Sequence, residues 1–148
     1  MYNSTLCYIE DPQGNYLMLH RVKKKNDLNH DKWIGIGGKF ENGESPDECM
    51  LREMREETGL LIEHPVLCGI KDWMREDGTR FIVALYRADR FTGKLNSSEE
   101  GRMFWIEREE FAKTNIIWGM KDVLRVCDEA EYSEMFYSEE KESWVLLG

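Results

Sequence analysis

GGKFENGESPDECMLREMREETGL, residues 37–60, carries the densest set of signals in the chain. Ser45-Pro46-Asp47-Glu48 supplies an N-cap serine, a proline at the first helical position and a glutamate at N3, and Gly59 suits the left-handed residue after a last turn, so the spacing predicts a helix over 46–58. Within it Met50, Leu51 and Met54 form an apolar face that must pack on a sheet. Glu53, Glu56 and Glu57 stand at i, i+3 and i+4, which crowds three carboxylates into one turn. Two like charges about 4 Å apart repel by roughly 4 kcal/mol near a protein surface. Such a cluster calls for raised pKa values or a bound cation, and hard oxygen donors favour magnesium, manganese or calcium over zinc. Arg52 lies at i, i+4 from both Glu48 and Glu56, where it can orient a carboxylate as well as balance it.

Upstream, Trp33-Ile34-Gly35-Ile36-Gly37-Gly38-Lys39-Phe40 mixes strand formers with close-set glycines, as where a strand feeds a tight loop and the backbone approaches a ligand. Neither a GxxxxGK[ST] loop nor a GxGxxG fingerprint is present. Residues 5–9 and 16–22, separated by Asp11-Pro12-Gln13-Gly14-Asn15, read as a hairpin. Lys23-Lys24-Lys25 is the one dense positive cluster; it reads either as a solvated loop or, with Arg21, as donors to phosphate oxygens. Downstream, residues 60–73 and 80–87 read as strands of a second hairpin turned at Glu76-Asp77-Gly78, 89–100 as a loop, 103–106 as a strand, 107–113 as a helical turn and 120–130 as an amphipathic helix. Residues 134–147 are either a last pair of strands or an excursion across the surface.

The 148 residues suit one domain spanning 1–148. With 41% apolar and 33% charged residues the chain reads as globular and soluble, without a membrane span or a signal peptide, and a cytoplasmic location is expected. Cys7, Cys49, Cys68 and Cys127 lack CxxC spacing, and His20, His30 and His64 lack HxxxH pairing, so neither disulfides nor a zinc site is expected. A net charge of −9 argues against an extended nucleic-acid surface but not against a polyphosphate bridged by metal ions.

Gly38, five residues, Glu44, seven residues, then Arg52-Glu53-Met54-x-Glu56-Glu57-x-Gly59-Leu60 resembles the Nudix box at every specified position. That resemblance implies an α/β fold, a mixed β-sheet sandwiched between α-helices, and a metal-dependent hydrolase of nucleoside diphosphate derivatives using Mg2+ or Mn2+. It implies that Glu53, Glu56 and Glu57 hold metal, with a carbonyl near Gly37 or Gly38 and a further glutamate, Glu100 or Glu99. Glu53 is the expected base, and Arg52 and Glu44 orient the cluster.

The strand around Arg21 and Trp33 is most similar to the MutT-type subgroup, which cleaves oxidised purine nucleoside triphosphates to monophosphate and pyrophosphate. Arg21, Lys24, Trp33, Ile34, Lys39 and Trp118 are the expected substrate contacts. Trp118 is either a stacking platform for the base or a core tryptophan. Ile34 stands where relatives of the mammalian enzyme carry Asn, and Gly119-Met120-Lys121 where they carry an acidic pair. The alternatives are another nucleoside diphosphate derivative (a dinucleoside polyphosphate, a nucleotide sugar, an RNA 5′ end) or a nucleotide-binding sensor without turnover. A monomer or homodimer is expected.

Overall fold

The capped helix forms over the residues its signals mark. In the computed structural model, which describes residues 2–22, 31–96, 101–107, 109–110 and 118–148, helix α1 is Pro46–Thr58. The Ser45 hydroxyl accepts from the Glu48 amide while the Glu48 carboxylate accepts from the Ser45 amide. Gly59, at φ 79°, closes the other end by donating to the Arg55 carbonyl. Two orphan donors at the start and one orphan carbonyl at the end are thereby satisfied. The buried stripe is Cys49, Met50, Met54 and Thr58. Leu51, expected in the apolar face, is 40% exposed, because the helix leans toward Cys49, whose thiol meets Thr5 and the Gly38 carbonyl.

The strands are β1 (Tyr2–Ile9), β2 (Tyr16–His20), β3 (Trp33–Ile34), β4 (Ile36–Lys39), β5 (Leu60–Glu63), β6 (Val66–Met74), β7 (Arg80–Ala88), β8 (Arg90–Gly93), β9 (Arg102–Ile106), β10 (Glu134–Ser138) and β11 (Ser143–Leu147); helix α2 is Met120–Asp128. Six strands form a mixed sheet in the order β11-β10-β6-β7-β1-β4, in which β1–β7 and β6–β10 are the parallel pairs. Smaller sheets are β3-β2-β9 and β5-β8.

The expected α/β sandwich is present. Helix α1 packs on one face of the large sheet, where Met50 and Met54 join Cys7, Ala84 and Tyr86. Helix α2 covers the other, where Met120, Val123 and Cys127 join Tyr8, Val83 and Leu85. Among the described residues no helix is long and apolar enough to cross a membrane. The four cysteines are free thiols, and Cys7, Cys49 and Cys127 are buried.

Two local expectations change, and the tail takes one of its two alternatives. The turn at residues 11–15 forms, with the Asp11 carboxylate accepting from the Gln13 and Asn15 amides, but the strands it joins do not pair as a hairpin. Beyond one bridge between Glu10 and Tyr16 they part, β1 into the large sheet and β2 into the small one. Cys7-Tyr8-Ile9 and Tyr16-Leu17-Met18-Leu19 are buried on both faces, which a half-solvated hairpin could not provide. Within the stretch read as a loop, Arg90–Gly93 is a strand that pairs with β5, and Phe91 stacks on Trp105. The tail is a hairpin, β10 with β11, added to the edge of the large sheet. The helical turn expected over 107–113 lies mostly outside the described residues.

Candidate functional site

Arg52 organises the corner where α1 meets β4. Its Nε and Nη2 donate to the two carboxylate oxygens of Glu44 at 2.6 and 2.9 Å, a bidentate fork. Nη1 donates to Glu53 Oε1 at 2.8 Å and Glu56 Oε2 at 3.1 Å, and Nη2 also donates to the Lys39 carbonyl at 3.0 Å. Glu41 stands 3.5 Å away. One guanidinium therefore fixes two acidic residues of the helix, one of the loop before it and the end of β4. The fork holds the Glu44 carboxyl below its usual range, chiefly through the Arg52 hydrogen bonds, and the same bonds push the Arg52 pKa up. Glu48 serves the N-cap as its N3 position predicts, the capping box taking its carboxylate, and Arg52 is left to the other carboxylates.

The glycines before the helix are required by close approach. At Gly37 a β-carbon would lie 2.7 Å from the Thr5 carbonyl carbon, inside the β1–β4 ladder. At Gly38 it would lie 2.5 Å from Glu53 Oε2. The Glu53 carboxyl thus occupies the space a side chain would take, and it is pinned there from the other side by Arg52.

Among the described residues no three acidic, histidine or cysteine side chains already converge as a closed metal cage. The donors at hand nevertheless fit a hard divalent cation. Glu53 and Glu56 share one Arg52 nitrogen, half-buried Glu57 follows on the same helix, and all the available ligand atoms are oxygens.

Gly37, Gly38, Lys39, Glu44, Arg52, Glu53 and Glu56 are therefore gathered in one corner. Lys24, Glu99 and Glu100 lie outside the described residues. Arg21 is in the β2–β3 connection, its backbone paired with Lys32 and Asp31. Trp33 stacks on His20 at 4.3 Å and tilts against Phe104, while Ile34 packs against both cores, a wall rather than a polar contact.

Trp118, 50% exposed, is not a core tryptophan; it meets Trp73, Tyr137 and Trp144 at centroid distances of 5.7, 4.9 and 4.8 Å. Beneath it runs a feature the sequence reading missed. Strand register sets Tyr2, Phe81 and Trp73 side by side on the α2 face, with Tyr137 and Trp144 paired on the adjoining strands. Tyr2 stacks on Phe81 at 5.1 Å and Phe81 on Trp73 at 4.4 Å. Lys39 Nζ stands 4.8 Å over Tyr2, and the Arg75 guanidinium 4.8 Å over Phe81. An aromatic floor with cations above it thus runs along the α2 face from Tyr2, beside Lys39, to Trp118, next to an open depression of about 700 Å3 lined by Trp73, Arg75, Trp118, Tyr137 and Glu139. The available signal was an aromatic near the same end of each successive strand, which becomes visible only once the register is known.

Known proteins resemble this chain in sequence and fold. The chain is 38% identical over 78 residues to an uncharacterized Nudix hydrolase of Bacillus subtilis, covering 49% of each chain. It is 33% identical over 85 residues to the oxidized purine nucleoside triphosphate hydrolase of Danio rerio, covering 57% of this chain and 54% of that one. The matches span about half the length of these curated relatives. The crystal structure of a MutT protein from Bacillus halodurans superposes with a TM-score of 0.79 at 25% identity, over 99% of this chain and 97% of that one. The NUDIX domain family itself matches residues 3–127, and with that coverage the chain belongs to the Nudix family.

Proposed function

We propose that this protein hydrolyses nucleoside triphosphates to the monophosphate and pyrophosphate, with Mg2+ or Mn2+ as cofactor, and that oxidised purine nucleotides such as 8-oxo-dGTP are among its substrates. The observation that carries this reading is Lys39 at the end of β4, whose carbonyl accepts from Arg52 while its ammonium lies over Tyr2 at the start of the aromatic row, so that one residue links two chemically different surfaces. The Arg52–Glu53 corner suits a metal-bound polyphosphate, and the aromatic floor ending at Trp118 suits a base. The name of the Danio rerio relative supports the same substrate class.

In this reading Glu53, Glu56 and Glu57 hold the cation, with a Gly37 or Gly38 carbonyl and Glu100 as further donors. When bound, it neutralises the polyphosphate and lowers the pKa of a coordinated water. Arg52 keeps Glu53 Oε1 in place, and Oε2, outside that hydrogen bond, takes the proton of the attacking water. Glu44 holds Arg52 so that the guanidinium stays in register with the helix. Lys39, with Lys24 and Arg21 from the preceding connection, meets phosphate oxygens. Trp118 covers the base on the floor formed by Trp73 and Phe81, and Trp33 and Ile34 wall the pocket from the small sheet. Free nucleotides as substrates suit a cytoplasmic protein.

The test is incubation with magnesium and a panel of nucleoside triphosphates, 8-oxo-dGTP included, alongside dinucleoside polyphosphates and nucleotide sugars. Monophosphate plus pyrophosphate supports the proposal. Cleavage of diphosphate-linked compounds alone would move the substrate class, and no turnover of any member would leave a nucleotide-binding protein.

A further inference from the structure

One residue behind the aromatic floor has no role in the reading above. The next row inward on the α2 face of the large sheet runs from Lys39 and Ser4 through Val83 and Lys71 to Met135 and Leu146. Val83 and Met135, which flank Lys71 across the strands, are 8% and 0% exposed, so this lysine is set between two buried apolar side chains. Burial of that kind is costly unless the charge finds a partner. Among the described residues no acceptor is hydrogen-bonded to Lys71. Its ammonium stands 5.1 Å over the Trp144 ring, and Asp122 on α2 is the acidic residue whose charge reaches it. Burial brings the Lys71 pKa down to about 8, which leaves it largely charged at neutral pH. Trp144 Nε1 is buried alongside and, among the described residues, also lacks an acceptor. Trp118 touches Trp144 and Trp73 together, so these two donors lie at the inner edge of the aromatic cluster.

We propose that Lys71 is a specificity-determining residue, donating a hydrogen bond to a carbonyl oxygen of the base that stacks on the Trp73–Trp118 platform, and that the site therefore prefers guanine-type over adenine-type bases. The chemistry is one of matching donors to acceptors. A guanine presents O6 and N7 acceptors on the edge where an adenine presents an amino donor beside N7, and an ammonium has donors only. An amino group facing Lys71 would leave both donors unpaired. This inference rests on the nucleotide reading above, but it concerns binding and is testable without turnover.

The experiment is a titration of the intrinsic tryptophan fluorescence with GMP and with AMP, for the wild type, Lys71→Met and Lys71→Arg. The wild type is expected to bind GMP about tenfold more tightly than AMP. Lys71→Met should bring the ratio to near one by weakening GMP alone, and Lys71→Arg, which keeps a donor, should retain the preference even if Lys71→Met does not fold. Equal affinities in the wild type, no binding of either monophosphate, or an unchanged ratio in a folded Lys71→Met protein would overturn the assignment. A GMP preference that depends on Lys71, in a protein without triphosphate turnover, would refute the reaction while leaving Lys71 as the base reader.

Discussion

Adjacent glycines at the end of β4 should respond in opposite ways to the same added methyl group. At Gly38 a β-carbon would sit 2.5 Å from Glu53 Oε2, the far end of a flexible side chain that can rotate aside. The expected stability loss is small, about 1 kcal/mol, since the displaced Arg52–Glu53 bond joins partly solvated groups. Displacing the base by about an ångström is worth about a hundredfold in rate, so kcat of Gly38→Ala should fall by about that factor. At Gly37 the added carbon would lie 2.7 Å from the Thr5 carbonyl carbon, in a strand held by the Thr5–Gly38 and Leu6–Gly37 pairing. Backbone cannot rotate away, so the ladder must open, at a cost of about 1–3 kcal/mol. For a chain of this size each kcal/mol lowers Tm by about 2–4 °C. Thermal melts followed by circular dichroism, paired with an assay of pyrophosphate release, separate the two effects. Wild-type turnover in Gly38→Ala, or an unshifted melt in Gly37→Ala, would refute the close approach on which the reasoning rests.

The remaining expectations concern the guanidinium, the platform and the half-buried lysine. Arg52→Lys keeps the charge but loses the fork to Glu44, and it should cut kcat by about tenfold or more with little change in melting; unchanged kinetics would show that the fork is not needed. Trp118→Ala should raise KM by about tenfold, the worth of one stacked base, while changing kcat less; a loss confined to kcat would argue against base stacking. Lys71, with a pKa near 8 when folded against an ordinary 10.5, binds fewer protons in the folded than in the unfolded chain between those two pH values. Its contribution to stability therefore rises with pH across that window, from a penalty of about 3 kcal/mol below it to none above. Buried Tyr8 and Tyr86, with pKa values pushed up, act in the opposite sense, so the readout is the difference between wild type and Lys71→Met. The variant should melt higher near pH 7, with the gap closing above about pH 10.5, and a gap independent of pH would contradict the buried charge.

How much of this was legible in the sequence depended on the range of the interactions involved. Helix α1 was readable to the residue because Ser45, Pro46, Glu48 and Gly59 act within a turn of the ends they cap. The motif named Arg52 and Glu44 as residues that orient the cluster, but the bidentate fork between them joins the helix to the loop before it and was not read from spacing. What local pattern hid was pairing between distant strands. Nothing near Asp11 says that β1 and β2 separate into different sheets, and nothing near Arg90 says that β5 needs a partner. The platform is the extreme case, since Tyr2, Phe81, Trp73, Tyr137 and Trp144 share a face only through the register of five strands. Lys71 was hidden for the same reason, because in a strand reading it is one more polar residue between Ile70 and Asp72.

Glu53, pinned between Arg52 and Gly38, is proposed to perform the chemistry on a nucleotide whose base is held elsewhere. Its most direct test is the rate of pyrophosphate release from a nucleoside triphosphate by wild type and Glu53→Gln, with monophosphate affinity measured in parallel by tryptophan fluorescence. The expected result is a fall in kcat of about 10²–10⁴-fold with monophosphate affinity unchanged. Near-normal turnover in a folded Glu53→Gln protein would contradict it.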